Sequence, residues 1–554
     1  MRIWIASSLG ASTWLAVASL TVALVAEAMP PSHARKVVRG TREGPVVGTS
    51  EVLPDGGRMN VWRGIPYASA PVGDLRFKAP QPPERRRGLY DATEFGDACP
   101  QSPTEVFAIQ NTNPGTGVSE DCLNLSIFAP ARGGQRPVMV WIHGGGLTTG
   151  AGNQSGDDPE RLVQEGVVVV TINYRLGILG FLAHPALSAT SITGEPGSGD
   201  YGLLDQLRAL EWLKENIAAF GGDPANVTLF GQSAGAFSIR GLMAATGSES
   251  LFDKVILQSG PIVQPQEPLA VAEARGAEAL AALCPAEASE QAAECLRSLS
   301  ATEILQAQIG TDFDARITRR PGVLDQDIPV ALAVGSFTGN AVLDGTTLDE
   351  WRLFVVAEEL VTGRPPLDSL ITTEEGYRNE LKRRYGFVTD ANIDAVAAAY
   401  PLDAFDTVDI AVAAVGTDAI FVCPNLVNVR AVARHVPTFA YEFADRAAPP
   451  LIPSGGALPL GAAHASDIQY ILDPAAEVAA DFSADSAALA QAMVRHWATF
   501  AKQGDPNPAS GDLPEWGPFL SQGYQSLETP EPRSPANVDL NHNCSSLWLA
   551  GSGG

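Results

Sequence analysis

The sequence predicts an α/β fold, a mostly parallel central sheet flanked by helices, and three observations carry that reading. Between Pro137 and Ser259, short runs rich in β-branched residues alternate with helix-period segments, the order that a parallel sheet covered on both faces requires. The 554 residues contain no repeat of fixed period and no long Ser/Gly or Pro-rich linker, so the length fits one decorated domain. An apolar fraction of 45% is enough to fill one large core.

At the start of the chain, Arg2 supplies one positive charge, Ile3 to Ala26 is uncharged and mostly apolar, and Ala26-Glu27-Ala28 has the small residues of a cleavage site. Residues 1–28 are expected to be an export signal, and 29–554 a single domain that is secreted or periplasmic. An uncleaved membrane anchor is the alternative, because the apolar stretch is long enough to span a bilayer. No later segment reads as transmembrane. The six cysteines form an even set in a chain bound for an oxidising compartment, which favours disulfides over metal or thiol chemistry. Sequence neighbours suggest Cys99 with Cys122 and Cys284 with Cys295, leaving Cys423 for Cys544, one of the fifteen arrangements that six cysteines allow.

The strand-like runs are Val138 to Ile142, Val167 to Asn173, Val227 to Phe230 and Val255 to Gln258. Leu203 to Phe220 reads as a helix, with Leu203, Leu207, Leu210, Leu213 and Ile217 on one stripe. After Gly260 the composition turns to Ala, Glu and Gln, which predicts helices inserted as a cap over about 261–330. Core pattern returns at Ala341 to Leu343 and at Thr438 to Glu442, with a second insertion around 355–430 between them. The run Ala487 to Lys502 is a closing helix, stopped by the turn Asp505-Pro506-Asn507. A formal charge of −26 repels phosphate at long range, so neither nucleic acid nor an anionic membrane surface is an expected partner.

The chemistry sits at strand ends. Gly231-Gln232-Ser233-Ala234-Gly235 follows a strand and precedes a helix-compatible run, the setting in which G-x-S-x-G forms a sharp turn that projects a nucleophilic serine. His143-Gly144-Gly145-Gly146 directly follows the strand Val138 to Ile142, and bare N–H groups there suit an oxyanion. Gly145, Gly146 and Ala234 are the candidate donors. A serine needs a base, and of the seven histidines His464 is the best placed, in the small-residue loop Gly461 to Asp467 after a core strand. The acid should lie between serine and histidine in this order of triad, which points to Glu350 or Asp349. Spacing does not separate those two.

Together these motifs resemble the type-B carboxylesterase/lipase family, the α/β-hydrolases that include the cholinesterases. Further similar stretches are Gly64-Ile65-Pro66-Tyr67-Ala68, Ser119 to Leu125, Asn173-Tyr174-Arg175-Leu176-Gly177, Gly202 to Gln206 and Phe220-Gly221-Gly222-Asp223-Pro224. The resemblance implies an α/β-hydrolase fold with helical cap insertions. It aligns Glu350 with the family's acid and His464 with its base, pairs the cysteines as above, and makes Glu120 and Arg175 structural ion-pair positions. Three departures stand out: Gln232 where glutamate is common, Leu147 where phenylalanine is common, and Asp200 where asparagine is frequent. The segment from Cys99 to Cys122 holds no tryptophan, so choline specificity is not implied.

The expectation is therefore a serine ester hydrolase acting on a small-molecule ester through an acyl-enzyme on Ser233, with no metal or organic cofactor. Two rivals are a non-catalytic adhesion protein on the same scaffold, and a lipase, lactonase or thioesterase specificity.

Overall fold

The computed structural model describes residues 35–550, apart from 54, 102–116, 155–157, 191–196, 286–287, 312, 453–457 and 475. The export-signal reading of residues 1–28 lies outside them. A 13-stranded sheet runs through the described chain. Its middle is parallel, in the order Val168–Ile172, Arg136–Ile142, Gly222–Gln232, Lys254–Gln258, Ala341–Thr347, Thr438–Phe443 and Tyr524–Leu527. Antiparallel strands flank it, with Arg35–Thr41, Gly44–Val52, Arg58–Pro66 and Asn124–Pro130 on one side and Arg533–Ala536 on the other.

Burial on both faces is why the central strands read as unbroken apolar runs rather than alternating ones. Along Arg136–Ile142, Val138, Val140 and Ile142 face a core that includes Leu203, Leu210 and Leu213 from the helix Tyr201–Asn216. Met139 and Trp141 face the opposite core, against Leu489, Met493 and Trp497 of the helix Ala484–Gln503. The period of two in a strand thus feeds two separate helix layers.

Several elements extend beyond their sequence signal. The strand beginning at Ala341 continues through Gly345, Thr346 and Thr347. Gly345 serves there because the ring of Tyr441 lies over it; a Cβ would sit 2.3 Å from Tyr441 Cδ1. Between Lys254–Gln258 and Ala341–Thr347 the chain forms the helices Leu269–Leu280, Glu290–Ser298, Ala301–Gly310 and Ile328–Val334. Before Thr438–Phe443 it forms five more, the last two joined through the π-helical turn Thr417–Val422 into one rod over Val408–Val432. That rod is long and apolar enough to cross a membrane, yet most of it is buried inside the fold, so it is a core helix.

Disulfides join Cys99 to Cys122, Cys284 to Cys295 and Cys423 to Cys544, with Cα separations of 5.0, 5.8 and 5.1 Å. The last one ties the chain's end to the helix Cys423–Val432. Beside it, His542 lies between two carboxylates, with Nδ1 2.5 Å from Asp418 and Nε2 2.7 Å from Glu442. Burial opposes its charge, but Asp418 and Glu442 outweigh burial and push the imidazole up to about 10. Such a raised group stabilises the fold fully below its ordinary 6.5 and loses that contribution as pH rises through about 10. Melting temperature should accordingly fall between pH 7 and pH 10, and His542→Gln should be less stable at pH 7 but show a flatter profile. Parallel profiles from differential scanning calorimetry would refute the clamp.

Candidate active site

The carboxyl ends of the central strands carry every candidate group, beside the point where the chain reverses direction across the sheet. Arg136–Ile142 and Gly222–Gln232 are parallel neighbours, with Ile142 opposite Gly231. At this seam the backbones nearly touch. A Cβ on Gly235 would lie 1.9 Å from the Ile142 carbonyl oxygen, and one on Gly231 would lie 2.6 Å from it. Only glycine allows the following helix, Ala234–Ala244, to start so close to the sheet. The residue between, Ser233, is forced to φ 55°, ψ −125°, a conformation that costs roughly 1–3 kcal/mol for a side-chain-bearing residue. Its N–H donates to Gln258 O at 2.8 Å, which pins the turn to the next strand.

The strain is held by a buried anchor. Arg240, on that helix, donates through Nε to Gly260 O at 2.8 Å and through Nη2 to Asp344 at 2.7 Å. Both ion-pair side chains are completely buried, and the other Asp344 oxygen accepts from Asn425 at 2.7 Å.

The glycine loop packs against the same turn. A Cβ on Gly144 would come within 3.2 Å of the Ser233 Cβ. Gly145 and Gly146 take φ of 100° and 61°, and the Thr148 and Thr149 amides donate back to Gly145 O at 3.0 and 2.9 Å. Among the described residues, the N–H groups of Gly145, Gly146 and Ala234 have no acceptor. Ala234 also opens a helix, whose N-terminus adds positive potential. His143, which leads the loop, is buried and stacked on Tyr174 at 4.4 Å, and Tyr174 Oη donates to His143 O at 2.8 Å. Burial pulls its imidazole down to about 4, so it is a neutral strut.

Across the cleft, His464 Nδ1 lies 2.5 Å from Glu350 Oε2, and both residues are buried. The second Glu350 oxygen accepts from the Thr347 amide at 2.8 Å. An ionised Glu350 keeps the imidazole proton on Nδ1 and leaves a lone pair on Nε2. That nitrogen is 3.1 Å from Gln232 Nε2, whose amide donates to the lone pair. No hydrogen bond joins His464 to Ser233 Oγ among the described residues; the contact is made by the residue before it. The rings of Phe354 and Phe421 flank the imidazole at 5.1 and 4.8 Å.

The neighbouring acid turns the other way. Asp349 accepts a bidentate pair from Arg446 at 2.8 and 3.0 Å, an ion pair from Arg352 at 2.9 Å and the Ala462 amide at 3.2 Å. Of the other described histidines only His542 meets carboxylates, and both its nitrogens are engaged by them, leaving no lone pair for a base. Glu120 pairs with Arg76 and Arg175 with Asp205. Asp200 accepts from Thr318 N and Oγ1 at 2.9 and 2.8 Å, and burial pushes it up to about 6. Sequence reasoning singled out Gln232 only as a departure, and missed Phe421, which lies 43 residues before His464 on the π-helical turn and carries no local signal.

Comparison with known proteins identifies the family. The family model described as carboxylesterase family matches residues 35–548. A fumonisin B1 esterase of Sphingopyxis macrogoltabida is 35% identical, over 94% of this chain and 93% of its own. A para-nitrobenzyl esterase of Bacillus subtilis (strain 168) is 34% identical, over 86% of this chain and 92% of its own. Among solved structures, a PNB esterase superposes with a TM-score of 0.74 at 31% identity, over 91% of this chain and 98% of that one. The chain belongs to the carboxylesterase family, with the α/β-hydrolase fold, and is a serine-class ester hydrolase.

Proposed function

We propose that ester hydrolysis here runs through an acyl-enzyme on Ser233, with His464 as base, Glu350 as its orienting acid, and Gly145, Gly146 and Ala234 as oxyanion donors. The observation that carries this reading is the 2.5 Å contact of Glu350 with His464 Nδ1, behind a lone pair directed at the turn that holds Ser233. Attack proceeds once the Gln232 amide yields the Nε2 lone pair to the Ser233 hydroxyl. The proton moves from Oγ to Nε2 while Oγ bonds to the ester carbon, and the carbonyl oxygen, now an oxyanion, meets the unspent amides. Imidazolium then protonates the leaving alkoxide, and a water deprotonated by Nε2 releases the acid and restores the serine. The substrate is a small-molecule carboxylic ester, the class for which both esterase relatives are named. The N-terminal apolar segment would deliver the enzyme to the oxidising compartment that three disulfides suit.

Ser233→Ala and His464→Ala should each lower kcat on p-nitrophenyl esters by about 10⁴-fold or more without loss of folding, and Glu350→Gln by a smaller but large factor. A phosphonate probe should label wild type at Ser233 by mass analysis; near-wild-type turnover in either alanine variant refutes the assignment. Gln232→Glu tests the amide contact. A carboxylate beside Nε2 favours imidazolium, so the acidic limb of kcat/KM should move upward by about one pH unit. An unmoved limb would mean that residue 232 does not face the base.

A further inference from the structure

Behind the loops that carry Glu350 and His464 lies a second cavity of about 610 Å³. Ser233, His464 and the glycine donors do not line it. Its walls belong to the supports of the dyad: Asp349 adjoins Glu350, Gly461 is three residues before His464, and Thr417 and Asp418 sit on the π-helical turn whose Phe421 touches the imidazole. We propose that this cavity is a second ligand site for an amphipathic carboxylate, such as the acid the enzyme itself releases, and that its occupation slows turnover. The proposal rests on ester hydrolysis as the source of that ligand.

The chemistry of the lining selects the ligand. Asp349 is shared by two guanidiniums, Arg352 and Arg446, and with Asp406 beside Arg352 the charges at that end balance, so it is the unspent N–H of Arg446 that draws an anion. Arg446 spends Nε and Nη2 on Asp349, keeps Nη1 for an incoming oxygen, and is 58% exposed. Burial pulls Arg352 below its ordinary range, the condition that a second anion relieves. The acidic groups on the lining compete poorly for a cation. Asp418 has both oxygens engaged, by His542 and by the Tyr400 hydroxyl, and only Asp406, exposed beside Arg352, keeps its carboxylate free among the described residues. Leu348, Phe405, Ile410 and Ala414 offer an apolar wall for a hydrocarbon body. A carboxylate seated on Arg446 would draw it from Asp349 and loosen the segment that aligns Glu350.

The test is calorimetric titration of octanoate into the full-length protein with Ser233 phosphonylated, so that the catalytic cleft is filled. Saturable binding should appear, weaken at least tenfold in Arg446→Ala and in Ala414→Phe, and be absent for octylammonium. Octanoate should also lower kcat of the free enzyme at little change in KM, an effect lost in Arg446→Ala, whose basal kcat should already lie near the octanoate-saturated level because its Asp349 contact is gone. Binding equal in wild type and Arg446→Ala, or equal for octylammonium, or none with the cleft blocked, would overturn the site. Failure of Ser233 to take the phosphonate would refute the nucleophile assignment instead, and the same titration of the unblocked protein against both variants would still decide the cavity.

Discussion

The buried ion pair between Arg240 and Asp344 is the constraint on which the candidate active site depends. Arg240 lies on the helix that begins at Ser233, and Asp344 lies on the strand that leads to Glu350. Taking both charges out of water cancels much of their attraction, so the pair adds little net stability as a unit. Losing either partner alone strands the other, at a cost of about 3–5 kcal/mol. The pair therefore acts as a register pin. It fixes the helix that follows Ser233 against the strand that leads to Glu350, and Asn425 extends the pin to the helix that follows Phe421.

That rigidity lets the site keep a conformation the backbone resists. Ser233 sits at positive φ because the strand before it and the helix after it are both locked to Ile142 and Gln258. The three free amides around it are the other half of the same arrangement. Glycines at 145 and 146 turn the loop so that its N–H groups stay unspent, and a helix start leaves Ala234 unspent as well. Water or an oxyanion is the natural partner for donors held this way.

Two buried histidines, His464 and His542, differ in what meets the second ring nitrogen. His464 has one carboxylate on Nδ1 and a neutral amide at Nε2, so its lone pair survives. His542 has carboxylates at both nitrogens, is held protonated, and clamps the chain's end beside the Cys423–Cys544 disulfide. Residue type is the same; the second partner decides the role. The partners of His542 are not visible in the sequence, because Glu442 and Asp418 lie 100 and 124 residues from it.

The α/β class was legible because central strands buried on both faces must be apolar throughout, as in Val138 to Ile142, and because the helix Tyr201–Asn216 shows its leucine stripe. The turn at Ser233 and the glycine loop were legible for a related reason: their shape is set by residues next to one another, where a missing side chain is the requirement. The flanking strands Arg35–Thr41 and Gly44–Val52 gave no comparable signal, since they are partly exposed and tolerate polar residues. The split between Asp349 and Glu350 was open from spacing and narrowed only by resemblance. The fold separates them by sending one carboxylate to Arg352 and Arg446 and the other to His464. So the sequence by itself determined the fold class and the local turn chemistry. Tertiary structure alone decided the facing of adjacent side chains, the amide of Gln232 on His464, the aromatic walls and the second cavity. Those depend on groups brought together from distant segments, and no short-range pattern encodes which of them meet.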